Sequence, residues 1–195
     1  MNDIIQLKIT LQGTKPPIWR RILVDKSTTF SLFHSIILNA MGWVGGHLYE
    51  FNINGYRIGE PHKDDEGWGG KLIDASKKSL DNIISATKGK FMYTYDFGDS
   101  WEHLIKVEKF LLKEENIKYP ICIEGELNCP PEDCGGVWGF YELLETIKNK
   151  KHPENKKTLE WLGGEYDPEY FDKKEINEIL KNLKPKSTKK KRTTV

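Results

Sequence analysis

No stretch of this 195-residue chain approaches the roughly 18 consecutive apolar residues of a membrane-spanning helix. The opening Met1-Asn2-Asp3 lacks the basic-then-apolar pattern of a secretory signal. Cysteine is scarce: three residues, an odd number, fit reduced thiols better than a disulfide framework. These absences predict a cytoplasmic protein with no membrane contact. Arginine is nearly as rare, and before the C-terminal tail only Arg20, Arg21 and Arg57 occur. A Gly-x-x-x-x-Gly-Lys-Ser/Thr phosphate loop, a Gly-x-Ser-x-Gly elbow and a His-Glu-x-x-His helix are all missing. The common nucleotide-binding, serine-hydrolase and zinc-protease classes lose their sequence support.

What is present suits one folded domain. Hydrophobic residues make up 37% and aromatics 11%, enough for a core, while 30% charged residues cover a wet surface. The net charge of +1 conceals an asymmetry. Residues 181–195 carry seven basic residues and no acid, which leaves the body at −6. Residues 1–183 are expected to form a single α+β domain and residues 184–195 a basic, disordered tail. Lys189, Lys190, Lys191 and Arg192 would give that tail weak, non-specific contact with nucleic-acid phosphates. The blander expectation is a solubilising tail.

Ile5, Leu7, Ile9 and Leu11 alternate with polar residues and predict a strand buried on one face, with a return strand over 18–24. A helix capped by Ser27 or Thr28 follows, with Phe30, Phe33, Ile37, Ala40 and Met41 as its core stripe and Gly42 as its stop. His34 falls on that stripe and reads as an internally bonded core histidine. Residues 47–53 and 56–58 form a hairpin around Asn54-Gly55. Residues 60–70 have loop composition, a short helix is expected over 79–85, and residues 114–136 read as loop. Helices then follow at Phe140–Ile147, around Leu159–Leu162, and after Asp172. Asp172 with Glu175 makes a capping box, Phe171 with Ile176 a staple, and Ile176, Ile179, Leu180 and Leu183 a buried stripe. Strands first and helices last predict an α+β fold: an antiparallel or mixed sheet of hairpins, one early helix, and a C-terminal helical group.

The richest segment lies between Phe91 and Val107. Phe91, Tyr93, Tyr95 and Phe97 line one side of its first half, and Trp101, His103, Ile105 and Val107 one side of its second. A hairpin must put both sets on one face, because a slip of one residue inverts every side chain. A three-residue loop, Gly98-Asp99-Ser100, does so by pairing Phe97 with Trp101, Tyr95 with His103 and Tyr93 with Ile105. It also sets Asp96 opposite Glu102, with Asp99 at the tip. Like charges opposed across a sheet destabilise it, and a divalent cation such as Mg²⁺ or Mn²⁺ would reverse that repulsion. Asp96, Asp99 and Glu102, with His103 or His47, are therefore candidate ligands. The alternatives are solvated carboxylates at an ordinary turn, or pairing with a distant Lys or Arg. His103, between Trp101 and Ile105, reads as a core histidine before a catalytic base.

Cys129 and Cys134 bracket Pro130-Pro131-Glu132-Asp133. Their spacing lies at the edge of the zinc range, with Cys122 and His152 as weaker partners. A rigid diproline loop with packed thiols, or a labile disulfide, are the other readings.

Taken together, Gln6–Leu11, Pro16–Val24, Ala40–Trp43, His47–Phe51, Tyr95–His103, Cys129–Gly136, Leu159–Gly164 and Asp167–Asp172 resemble the plasmid pRiA ORF-three-like family. The resemblance runs from about residue 4 to residue 180. It implies relatives in bacteria and archaea, some on plasmids or carried as passengers of insertion elements, and no settled biochemical activity. Members often show His-Leu-His where this chain has His47-Leu48-Tyr49, which weakens a two-histidine ligand pair there. Some carry a resolvase label. Serine and tyrosine recombinases both gather arginines around the scissile phosphate, and three arginines before the tail do not suffice. Two expectations remain: a non-catalytic interaction or accessory module associated with mobile elements and a protein partner, or a metal-dependent hydrolase or nuclease built on Asp96, Asp99 and Glu102.

Overall fold

The computed structural model describes residues 3–61, 72–81 and 89–183. The expected basic tail, most of the loop over 60–70 and the last four residues of the expected 79–85 helix lie outside them. Chain order is β1 (Ile4–Leu11), β2 (Trp19–Asp25), α1 (Phe30–Met41), β3 (Tyr49–Ile53), β4 (Tyr56–Gly59), β5 (Ile73–Asp74), β6 (Lys90–Tyr95), β7 (Trp101–Leu111), β8 (Ile121–Glu126), α2 (Gly136–Lys148), α3 (Asn155–Leu162) and α4 (Lys173–Lys181). Among the described residues this gives one eight-stranded sheet, ordered β5-β4-β3-β6-β7-β1-β2-β8, and four helices. Every pairing is antiparallel except β4 with β5, so the sheet is mixed and the fold α+β. No helix among the described residues is long and apolar enough to cross a membrane.

Period-two alternation decides which face is covered. Ile5, Leu7, Ile9 and Leu11 are buried, as are Phe51, Tyr93, Tyr95, Trp101, His103 and Ile105. Against them lies α1: Phe30 meets the Phe51 ring edge-on at 5.0 Å and Phe33 stacks on it at 5.7 Å. The other face keeps Glu102 and Lys106 exposed, as an antiparallel sheet allows.

Several boundaries differ from expectation for identifiable reasons. The α1 cap is Thr29, whose hydroxyl accepts the Leu32 N–H; Ser27 instead donates to Asp25 and closes the preceding turn. His47 precedes β3, which starts at Tyr49. Residues 121–126, expected as loop, form the edge strand β8, held at Cys122 by both backbone groups bonding the Asn177 side chain. Asp172 caps α4 as expected, accepting from the N–H groups of Lys174 and Glu175. The Glu175 carboxylate, however, takes the Tyr170 hydroxyl. Phe171 covers the Arg20 guanidinium at 4.8 Å, and Ile179 is exposed.

The hairpin departs most. Tyr95 pairs with Trp101, Tyr93 with His103, Phe91 with Ile105 and Thr94 with Glu102. The loop is therefore five residues, Asp96–Ser100, and the register is displaced by two. Asp96 turns to φ 52 and Ser100 to φ 53. The Asp96 carbonyl accepts the Ser100 N–H at 2.6 Å, and its carboxylate accepts the Gly98 N–H at 2.9 Å. A displacement of two preserves every face, so the aromatic face is as expected while Phe97 swings out to solvent. Thr94, and not Asp96, stands opposite Glu102, and the expected repulsion across the pair is absent.

Candidate functional site

Three loops meet at one end of the sheet: Gly42–Leu48 between α1 and β3, the hairpin tip Asp96–Ser100, and the diproline loop Cys129–Gly135 that feeds α2. Backbone donors fix them together. The Glu132 carboxylate accepts from Val44 N–H at 2.8 Å, Gly45 N–H at 3.2 Å and the Tyr95 hydroxyl at 2.6 Å. Burial, then the Glu132 hydrogen bond, pushes the Tyr95 hydroxyl pKa well up, so it stays a donor. Asp99 accepts the Gly135 N–H at 3.1 Å, and Asp96 donates its own N–H to Leu48 O at 2.9 Å. Beneath the loops Trp43 stacks on Tyr95 at 5.3 Å and donates to Pro130 O at 2.8 Å.

Within this frame His47 lies between two carboxylates. Its Nε2 is 3.2 Å from Asp133 Oδ1, and its Nδ1 is 3.7 Å from Asp96 Oδ1. One ligand atom from each of His47, Asp96 and Asp133 lies within 4.8 Å of the others, the one such group of three among the described residues. Asp96 is buried, whereas His47 and Asp133 face solvent. Around them Val44 is 94% exposed, Trp138 86%, Phe97 53% and Leu48 51%.

Of the residues singled out from sequence, Asp96 and His47 belong to this group and the others do not join it. Asp99 is engaged with the Gly135 backbone, and Glu102 projects from the opposite face of the sheet. His103 is fully buried, its Nδ1 3.0 Å from the Trp101 carbonyl oxygen and its Nε2 without a hydrogen-bond partner. Burial depresses its pKa to about 4. His34 is a core residue, stacked on Tyr49 at 3.6 Å and bonded to the Tyr93 hydroxyl at 2.8 Å. Cys122, Cys129 and Cys134 are free thiols. Burial raises their pKa values to about 11, 12 and 12, with the Asp99 charge adding at Cys134, so all three stay protonated. His152 caps a turn instead, accepting the Glu154 N–H. Asp133 and Glu132 were missed, although they sit inside the Cys129–Cys134 motif; the thiols drew the chemical reading away from the acids between them.

The arginines are dispersed. Arg20 is buried and donates to the carbonyls of Ala40, Trp19 and Glu126. Arg21, on the other face, pairs with Glu108 and Glu124, and Arg57 with Glu50.

Residues 3–175 match the model of the plasmid pRiA4b ORF-3-like protein family. The uncharacterized protein y4hQ of Sinorhizobium fredii (strain NBRC 101917 / NGR234) is 37% identical over 192 residues, 97% of each chain. A crystal structure of a protein of unknown function from Methanosarcina mazei Go1 superposes with a TM-score of 0.79 at 38% identity, covering 88% of this chain and 96% of that one.

Proposed function

The chain belongs to the plasmid pRiA4b ORF-3-like family, and we propose that it is a non-catalytic interaction module, an accessory factor of mobile elements, that docks a partner protein on the three-loop surface. The observation that carries this reading is the display of Val44, Leu48 and Phe97 on loops, and of Trp138 in the first turn of α2, with the backbones around them pinned by hydrogen bonds. Single exposed apolar residues are ordinary, but four around a polar centre, on two adjoining loops and the first turn of α2, have the make-up of a recognition surface. The dispersal of Arg20, Arg21 and Arg57 argues against recombinase chemistry.

The test is a photo-cross-linker at position 138 in cells, followed by titration of the purified cross-linked protein. A Val44→Asp/Trp138→Asp pair is expected to weaken binding at least tenfold, while Trp161→Asp, another exposed tryptophan, leaves it unchanged. Binding untouched by the pair, or no protein cross-linked from position 138, overturns the reading. One observation favours a second reading as a metal-dependent hydrolase or nuclease: the His47, Asp96 and Asp133 group. It shares Asp96 with the Asp96, Asp99 and Glu102 set expected from sequence, and its first requirement is that the group hold a cation.

A further inference from the structure

We propose that His47, Asp96 and Asp133 form a binding site for a borderline divalent transition ion, of the Mn²⁺, Co²⁺ or Zn²⁺ class, with coordination positions left open to solvent. The carboxylates at this end of the sheet divide by what they already bind. Glu132 is consumed by two backbone N–H groups and the Tyr95 hydroxyl, while Asp99 gives one oxygen to Gly135 N–H and lies outside the group. Among the described residues Asp133 faces no donor but His47, and Asp96 accepts Gly98 N–H through Oδ1 alone.

His47 supplies an independent argument. A neutral imidazole has one N–H and one lone pair, yet both ring nitrogens face a carboxylate oxygen, at 3.2 Å and 3.7 Å. One of these contacts sets a lone pair against an anion unless a proton or a metal ion lies between them. At metal–ligand lengths of about 2.0–2.2 Å, neighbouring ligands around an ion are roughly 3.0–3.5 Å apart. The 3.2 Å contact already has that spacing, and Asp133 and His47 are exposed enough to close the rest.

The ligand set selects the ion. One imidazole nitrogen with two carboxylate oxygens suits borderline ions, whereas Mg²⁺ and Ca²⁺ prefer oxygen alone. Three protein ligands leave at least one position for water, a substrate oxygen or a partner's carboxylate.

Isothermal titration of the full chain with Mn²⁺, Co²⁺ and Zn²⁺ tests this, with Co²⁺ absorption as the reporter of ligand type. His47→Ala and Asp133→Asn are each expected to weaken binding at least tenfold. Glu102→Gln, the ligand expected from sequence, should leave it unchanged. Far-ultraviolet circular dichroism confirms that each variant is folded. Absence of binding to the wild type overturns the proposal. Binding indifferent to His47→Ala and Asp133→Asn, or a thiolate-to-cobalt charge-transfer band, also overturns it; the band would put the ion at Cys129 and Cys134. The titration uses this chain alone, so its failure leaves the docking reading to stand or fall by position 138.

Discussion

His103 should make this protein acid-labile in a defined window. Its ring is sealed beneath Trp43 and Tyr93, with centroids 5.4 Å away in each case, and burial holds its pKa at about 4 against 6.5 for an unperturbed histidine. The unfolded chain therefore takes up this proton near pH 6.5 and the folded chain only near 4. A depressed histidine pKa gives stability that is full above pH 6.5 and is lost as pH falls toward 4. Between pH 7.5 and pH 4.5 the loss from His103 alone is about 2–3 kcal/mol, since one pKa unit is worth roughly 1.4 kcal/mol. Urea unfolding followed by tryptophan fluorescence across that range measures it. Carboxylates begin to titrate in the same interval, so the informative quantity is the difference between wild type and His103→Phe. That variant keeps an aromatic ring and removes the titration. The wild-type curve is expected to fall more steeply with acid by about the stated amount. Parallel curves would refute the sealed, neutral imidazole and reopen His103 as an accessible base.

Two further perturbations probe the frame around the site. Gly136 has φ 68, and a Cβ there would overlap the Asp99 carbonyl oxygen, whereas Gly163 has φ 75 with nothing within 4 Å of the added carbon. Gly136→Ala should cost about 2–4 kcal/mol and Gly163→Ala about 1 kcal/mol in urea unfolding; equal costs would mean that the hairpin tip is not seated on α2. Asp172→Ala removes the acceptor of two N–H groups at the start of α4 and should cost about 1 kcal/mol, read as a lower urea midpoint at unchanged slope, and an unmoved midpoint would mean that water caps the helix equally well.

Period-two patterns on β1, β6 and β7 made the buried face legible before any coordinates, because burial on one side constrains every second residue. Strand pairing was not legible, since a displacement of two satisfies the same constraint. The deciding term was local: Asp96 adopts φ 52 and bonds Gly98 and Ser100 internally. An aspartate in the left-handed region is tolerated but not announced by sequence. Asn54-Gly55 was readable because two-residue hairpin turns demand positive φ at both positions, which are φ 51 and φ 88 here. Strand β8 escaped notice because only Cys122 is buried in Ile121–Glu126, leaving no alternation to detect. At the site, Asp96 and His47 stood out from their motifs. Asp133 needed the fold, since no periodicity connects the diproline loop to a histidine 86 positions earlier.

The same contacts explain why the aromatic face and the site belong together. Tyr95 contributes its ring to the core under Trp43 and its hydroxyl to Glu132, and Glu132 in turn holds the Val44 and Gly45 backbone. Asp99 ties the hairpin tip to Gly135, one residue before α2, and so fixes the helix turn that presents Trp138. A loop whose backbone is ordered in advance by such contacts has less conformational entropy left to lose when a partner arrives. The buried aromatic layer thus acts at the surface through backbone hydrogen bonds. Val44, Phe97 and Trp138 can remain exposed and still be held ready, which is the physical basis for reading them as a docking surface.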